Sequence, residues 1–362
     1  MATENAKIDL RDVARLAGVS LGSASRAING TGASPATMIK VERAVAALGY
    51  RPNHAAQALR SRASRTIGCL LPDIANPLYA AVFKALEDEF RRQGYMLLLA
   101  NGANDLQREI TTLSMFDQRG MDGVILAPGN ERSAELGAAL NALPMPAVVF
   151  DREIAGERDG LMIDHAAGIR GAVERLLALR HRRIALVLWK GDTRPVRRRI
   201  QGYRAAFAAA ELADPNLIVL AQSVTASAFD EISELLARPD RPSAIIVQGT
   251  HMLNSALRAI AARRLSVPDD LSVIAIGDTD LAREYEPAVS VLMIDLAEAA
   301  QRLAHLLLNR IAMPQSAFRR ERIALHYIER ASVAPPSKAT QVRPAMQVAP
   351  RTRPPKGQAK GD

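Results

Sequence analysis

The sequence predicts an α/β protein in two parts, an all-helical head of about fifty residues and a two-lobed body built on parallel sheets. Two observations carry this. Helix start and stop signals crowd the first fifty positions. After Thr66 short apolar runs alternate with amphipathic helical patterns, the mark of parallel strands with helices on both faces. The alternation continues to residue 334, longer than one comfortable domain, which two similar lobes with a cleft between them would explain.

In the head, Asp9 can cap a helix whose Leu10, Val13, Ala14 and Ala17 form an apolar stripe, with Asp12 in the first turn suiting the helix dipole. Gly18 follows where a left-handed residue closes a helix. Ser20 caps a second helix, with Ala24, Ala27 and Ile28 inward, which stops at Asn29-Gly30. Ser34-Pro35 starts a third, through Ile39, Val41, Val45 and Leu48 to Gly49. Two short helices joined at Ala17-Gly18-Val19 make a helix-turn-helix; a generic three-helix bundle is the weaker alternative.

Likewise, strands are expected at Ile67–Leu71, Met96–Leu99, Gly123–Ala127, Ala147–Phe150, Ile184–Leu188, Ile218–Leu220, Ala244–Val247 and Val273–Ile276. Helices are expected at 78–93, 104–119, 166–180, 197–211, 250–264 and 296–312.

Charge separates the parts further. Of the net +9, residues 1–66 hold +6, residues 67–334 hold −2 and residues 335–362 hold +5. A near-neutral body with basic ends points to a polyanion met by the ends. The Pro- and Lys/Arg-containing tail has no apolar period and reads as a disordered extension whose charge is incidental. A single cysteine, Cys69, excludes a disulfide framework and thiolate-bridged metal sites, and a reduced cytoplasmic location is expected. No apolar run is long enough to span a membrane, and no N-terminal secretory signal is visible. With 4% aromatics, single-strand binding by base stacking is disfavoured.

The head carries Asp12-Val13-Ala14, Ala17-Gly18-Val19-Ser20, Ser25-Arg26 with Asn29-Gly30, Ser34-Pro35-Ala36-Thr37, and Leu48-Gly49-Tyr50-Arg51-Pro52-Asn53. So many fixed spacings resemble the DNA-binding head of the LacI (lactose repressor) family of bacterial transcription regulators. The resemblance implies that the helix after Ser20 enters the major groove. Leu21, Gly22 and Arg26 then face base edges, Arg26 as a reader of guanine and Leu21 as an apolar contact. Gly22 has no side chain to read with, and Ser23 and Ala24 replace the family's common threonine and valine. Ser20, Ser25, Asn29, Ser34, Thr37 and Tyr50 are implied phosphate contacts; plain helix capping is the other reading for the serines. Asn53 to Arg60 matches the hinge helix, too short to be stable alone. There Asn53, Ala56 and Leu59 are implied in the minor groove, with Leu59 as the wedge; packing within its own domain is the alternative for Leu59.

Family likeness extends through the body to Val333. It rests on Thr66-Ile67-Gly68, Pro72-Asp73-Ile74-Ala75-Asn76-Pro77, Leu176-Leu177-Ala178-Leu179 with His181-Arg182-Arg183-Ile184, Arg199 with Gly202-Tyr203, and Val267-Pro268-Asp269-Asp270. It implies a periplasmic-binding-protein-like effector module, in which a small molecule closes two lobes. The implied ligand contacts are Asp73, Leu78, Tyr79, Asp151, Asp164, Trp189, Arg199 and Asp278, beyond the carboxyl ends of strands. Arg199 offers a guanidinium fork for hydroxyl pairs or a carboxylate, although it also belongs to the run Arg197-Arg198-Arg199, which could be mere surface charge. Trp189 could stack on a sugar or simply pack. Two positions depart from the family: Gly249-Thr250 stand for its usual Asn-Asp, and Gly277-Asp278 for its usual Asp-Asp. At Gly277-Asp278 one ligand carboxylate is lost; either Asp278 substitutes for it or the effector differs, for example a sugar acid.

The expected organisation is a head at 7–51, hinge and linker at 52–65, a body at 66–334 and a tail at 335–362. Within the body the N-lobe spans about 66–165 and 296–322, the C-lobe about 166–295 and 323–334. The expected function is a sequence-specific transcriptional regulator, a repressor, whose operator affinity a sugar, sugar acid or related metabolite controls. Expected partners are a palindromic double-stranded operator, that effector and a second copy in a homodimer, with a tetramer as the larger alternative. No membrane, metal or cofactor is expected. A cytosolic sugar-binding or sugar-processing enzyme on the same two-lobed fold is the rival reading. Against it, no G-x-G-x-x-G, G-x-x-x-x-G-K-[ST] or H-E-x-x-H motif occurs, and the six histidines show no ligand spacing.

Overall fold

The computed structural model describes residues 8–29, 32–50, 63–222 and 228–337. They fall into two compact units, the head and the body. The hinge residues Asn53, Ala56 and Leu59, and the tail from residue 338, lie outside the described residues.

Three helices make the head: α1 (Leu10–Ala17), α2 (Leu21–Ile28) and α3 (Pro35–Leu48). Asp9 caps α1 by accepting the amides of Arg11 and Asp12, while the Asp12 carboxylate accepts the Asp9 amide, a reciprocal capping box. At Gly18 the backbone turns left-handed (φ +64°), and the Val19 amide returns to the Ala14 carbonyl at 3.0 Å. That closure lets α2 start three residues after α1 ends. Val13, Ala14, Ala24, Val41 and Ala44 are buried together, bordered by Leu10, Val19, Ile28, Leu48 and Tyr50. Small residues at the crossing let short helices approach. Ile39, expected on the inner stripe of α3, is instead 50% exposed, because Val41 and Ala44 set the buried face.

The body consists of β1 (Thr66–Leu71), α4 (Pro77–Arg92), β2 (Met96–Asn101), α5 (Leu106–Gln118), β3 (Gly123–Leu126), α6 (Ala134–Ala142), β4 (Ala147–Phe150), β5 (Asp159–Ile163), α7 (His165–Ala178), β6 (Ile184–Trp189), α8 (Arg194–Ala209), β7 (Ile218–Ala221), α9 (Phe229–Ala237), β8 (Ala244–Gln248), α10 (Gly249–Ala262), β9 (Ser272–Ile276), α11 (Asp280–Glu284), β10 (Ser290–Met293), α12 (Leu296–Ala312), β11 (Arg320–Ile323) and β12 (His326–Ile328). The strands form two six-stranded sheets, in the orders β11-β5-β4-β3-β1-β2 and β12-β10-β9-β8-β6-β7. Between β10 and β12 the pairing is antiparallel; β3, β4, β5 and β11 in the first sheet and β6 to β10 in the second pair in parallel with their neighbours. The chain passes from one sheet to the other three times, at residues 163–165, 293–296 and 323–326.

Alternation along the strands divides the second lobe's core. Ala185, Val187, Ile245, Val247, Val273 and Ala275 pack against α9 and α10. Their neighbours Ile184, Leu186, Leu188, Ile246 and Ile274 pack against α7 and α8. In the first lobe Ile67, Cys69 and Leu71 meet Val82, Leu86 and Phe90 of α4 and Leu303 and Leu307 of α12. Burial pushes the Cys69 thiol up to about 12, which makes it a packing residue rather than a nucleophile.

Where α8 crosses α7, a Cβ on Gly202 would lie 2.2 Å from the Ala166 carbonyl oxygen, so only glycine permits this approach. Gly202→Ala is expected to cost about 1–3 kcal/mol through overpacking, read as a lower urea midpoint; an unchanged midpoint would show that the helices separate freely.

Candidate functional site

On the head, the surface of α2 away from the core carries Leu21, Gly22, Arg26 and Asn29, all exposed, with Ser25 half-buried. The inward face is fixed by Ala24, Ala27 and Ile28, so the outward set follows from helical spacing. Ser20 accepts the Ser23 amide at 3.1 Å, and Ser34 accepts the Thr37 amide at 3.3 Å; both serines are caps as well as surface hydroxyls. Arg26 rests on the Ser23 hydroxyl at 3.3 Å, and nothing but Arg26 and Ser20 approaches Gly22. Tyr50 packs along the head core.

In the body, the strand ends of both sheets frame a cleft formed by two adjoining hollows of about 730 and 1010 Å³ that share Asn76, Leu78, Ile163, Arg199 and Gln248. Asp73 follows β1, Asn130 follows β3, Asp151 follows β4, Lys190 follows β6 and Asp278 follows β9. Asp73, Leu78, Tyr79, Asp151, Trp189, Arg199 and Asp278 all line this cleft. Asp164 does not. It caps α7 by accepting the Ala167 amide at 3.1 Å and lines a separate groove with Arg322 and Tyr327, because β5 turns into α7 one residue before the chain faces the cleft. That residue is His165, which sequence reasoning passed over although it opens the helix expected there.

His165 is buried between Asp151 and Arg199. Its Nε2 lies 2.8 Å from the Asp151 carboxylate, and its Nδ1 accepts from Arg199 Nε at 3.3 Å. A neutral imidazole protonated on Nε2 satisfies both contacts. Desolvation, reinforced by Arg199 and Arg194 and opposed by Asp151, lowers the His165 pKa to about 4. Asp151 has a left-handed backbone (φ +53°) and also accepts from Ile163 N at 3.2 Å and Arg194 Nη1 at 2.6 Å. Desolvation would raise its pKa, but His165 and Arg194 beside it bring it below the usual value. Its oxygens are thus committed within the protein.

Asp278 is committed too, its two oxygens taken at 2.8 Å by Arg283 and Arg330. Trp189 is 8% exposed and packs mainly into the second lobe's core. Tyr79 meets Arg152 Nη2 at 2.8 Å, while the other Arg152 donors reach the carbonyls of Pro128 and Asp151. Two cleft atoms are buried with no hydrogen-bond partner among the described residues, Arg199 Nη1 and Thr250 Oγ1. Thr250 stands at one of the two departures noted in the sequence. Arg197 and Arg198 are not bare surface charge: they bridge the lobes, Arg197 to Glu131 and Glu153 at 2.9 Å and Arg198 to Glu153 at 2.8 Å. Among the described residues no group of three or more acidic, histidine or cysteine side chains could hold a metal, and no helix is long and apolar enough to cross a membrane.

Residues 9–53 match the family model of the bacterial regulatory proteins of the lacI family, and residues 173–333 that of a periplasmic binding protein-like domain. The HTH-type transcriptional regulator DegA of Bacillus subtilis (strain 168) is 32% identical over 81% of this chain and 88% of its own length. The chain belongs to the LacI family. The ribose operon repressor of Escherichia coli (strain K12) is 30% identical over 89% of this chain and 99% of that protein. A solved structure of the transcriptional regulator CelR in complex with cellobiose superposes with a TM-score of 0.68 at 29% identity, covering 90% of this chain and 99% of that one. As a LacI-family protein the chain is a DNA-binding transcriptional regulator, which decides against the sugar-processing enzyme.

A pH test isolates His165. Its folded pKa lies below its ordinary 6.5, so the unfolded chain takes up a proton that the folded chain refuses as pH falls from 6.5 to about 4. Its contribution is complete above pH 6.5 and lost below, at up to ~1.4 kcal/mol per pH unit. The unfolding free energies of wild type and His165→Gln, measured by denaturant between pH 7 and 4.5, should therefore converge. A gap independent of pH would refute a neutral His165.

Proposed function

We propose that this LacI-family chain is a repressor that binds a palindromic operator as a homodimer and changes its operator affinity when a sugar or related metabolite binds between the lobes. The observation that carries the effector half is a cleft at the strand ends in which Arg199 Nη1 and Thr250 Oγ1 are buried without partners among the described residues. A buried donor without a partner is costly, and a hydroxylated ligand would supply the missing acceptors. The comparison proteins, a ribose operon repressor and a regulator solved with cellobiose, favour a carbohydrate-related effector. The remaining step is linkage: a ligand that binds two forms of the protein unequally shifts the balance between them, and operator affinity with it.

The DNA half rests on the exposed row of α2. Arg26 is assigned to a base edge and Leu21 to an apolar base contact, while Ser20, Ser25, Asn29, Ser34, Thr37 and Tyr50 are assigned to phosphates. Asn53, Ala56 and Leu59 complete the assignment in the minor groove. Support for a dimer comes from β2, an edge strand whose Met96, Leu98 and Leu99 are 62%, 38% and 38% exposed. Such an apolar edge invites a second copy.

Arg26→Ala is expected to relax preference at one operator position by about 1–3 kcal/mol, read by sequencing selected sites; an unchanged site profile would remove Arg26 from base reading. Arg199→Ala should keep operator affinity in a fluorescence anisotropy titration while losing the effector's change in that affinity. A retained effector response would take Arg199 out of the effector site.

A further inference from the structure

The cleft's charges are unevenly neutralised. Of its carboxylates, Asp151 is paired with Arg194 at 2.6 Å, Asp278 with Arg283 and Arg330, and Asp192 with Arg132 at 2.6 Å and Arg197 at 3.0 Å. Asp73 alone has no cation within 4 Å among the described residues; it accepts the Ala75 amide. On the cationic side, Arg152, Lys190 and Arg199 have no carboxylate within 4 Å among the described residues. The donors of Arg152 go to carbonyls and a phenol, and Lys190 reaches the Gln222 amide oxygen at 3.2 Å.

Arg199 is the extreme case. It is 4% exposed, and among the described residues its one hydrogen bond goes to a neutral imidazole and its Nη1 has no partner. Desolvation outweighs the opposing pull of the Asp151 charge and brings its pKa down to about 10. A buried charge that is only partly compensated is costly, and Asp151 acts on Arg199 from across the His165 ring with its own oxygens taken by His165 and Arg194. Nearby, the orphan Thr250 hydroxyl lines the same hollow, at the position where the family's usual aspartate is missing.

Resting on the effector reading above, we propose that the effector of this chain is an anion: a carboxylate or phosphate on a hydroxylated carbon skeleton, its oxyanion seated on Arg199 and assisted by the Thr250 hydroxyl. Asp73, Asn76 and Asn130 take the hydroxyls at the far side of the cleft. A guanidinium fork holds an oxyanion by two parallel charge-assisted bonds, while a neutral sugar leaves the buried charge unbalanced.

The test uses the full chain at constant ionic strength, with thermal unfolding read against paired probes. D-gluconate and D-glucuronate form the carboxylate arm, D-glucose 6-phosphate the phosphate arm, and D-glucose, D-ribose and cellobiose the neutral arm. The expected result is a rise of about 5 °C at hundredfold saturation in one anionic arm, which also names the source of the oxyanion, with no rise in the neutral arm. Arg199→Met should weaken that anion at least 100-fold by calorimetry, and without ligand should unfold no lower than wild type, since it removes a buried charge that is only partly compensated. Neutral sugars binding as well as the anions would overturn the inference and leave the effector reading standing. An unliganded Arg199→Met that unfolds several degrees lower would show the cation is held for the fold, and overturn it as well. If no anion raises the melting temperature the inference fails, and if in addition no probe changes affinity for the operator duplex, the effector reading fails with it.

Discussion

Asp151 sits buried where β4 ends, and groups from both lobes of the body converge on its carboxylate. The amide of Ile163 comes from the first lobe, while His165 and Arg194 come from the second. Placing a carboxylate there is costly unless its charge and lone pairs are met, and once they are met the three elements cannot move independently. Arg194 strengthens the tie by also donating to the Ile163 carbonyl at 2.8 Å. His165, held by Asp151, in turn holds Arg199 by Nε, which sets where the guanidinium lies in the cleft. The guanidinium in the cleft is thus positioned through a chain that starts at a carboxylate whose oxygens are already taken.

A second group of charges spans the lobes beside this one. Glu131 is nearly fully buried at the first lobe's strand ends and receives the amide of Glu153 and the guanidinium of Arg197. Burial raises its pKa against the lowering effect of the Glu153 amide, Arg152 and Arg197, so this carboxylate depends on its partners to stay charged. The run Arg197-Arg198-Arg199 therefore divides its work within one turn of α8. The first two arginines tie the lobes, and the third is turned toward the cleft, because successive residues on a helix point about 100° apart.

Local signals made the head legible. Its capping box at Asp9 and Asp12, its left-handed Gly18 and its Ser20 and Ser34 caps involve residues at most four apart, and each is visible as a pattern of residue types. The long apolar strands of the body were legible for the same reason. β5, β10, β11 and β12 were not: they span three to five residues, and β11, reading Arg-Glu-Arg-Ile, and β12, reading His-Tyr-Ile, have no apolar run. They exist because neighbouring strands supply the hydrogen bonds. The short helices α6, α9 and α11 escaped too, since a pattern of five to nine residues holds too few turns to show its period.

Composition and spacing by themselves determined the division of labour, a basic helix-turn-helix ahead of a near-neutral two-lobed body, while the residue motifs carried the resemblance to the LacI family. Tertiary structure alone decided which charged residues are available. Asp151, Asp164, Asp278 and Arg199 are equivalent as candidates in one dimension, yet Asp151 and Asp278 are consumed by arginines, Asp164 caps a helix, and Arg199 touches no carboxylate among the described residues. The physical reason is range. Caps and periodicity act over one or two helical turns, whereas the charge balance of a buried site is set by partners 43 residues apart for Asp151 and Arg194 and 52 apart for Asp278 and Arg330, brought together only when the sheets form.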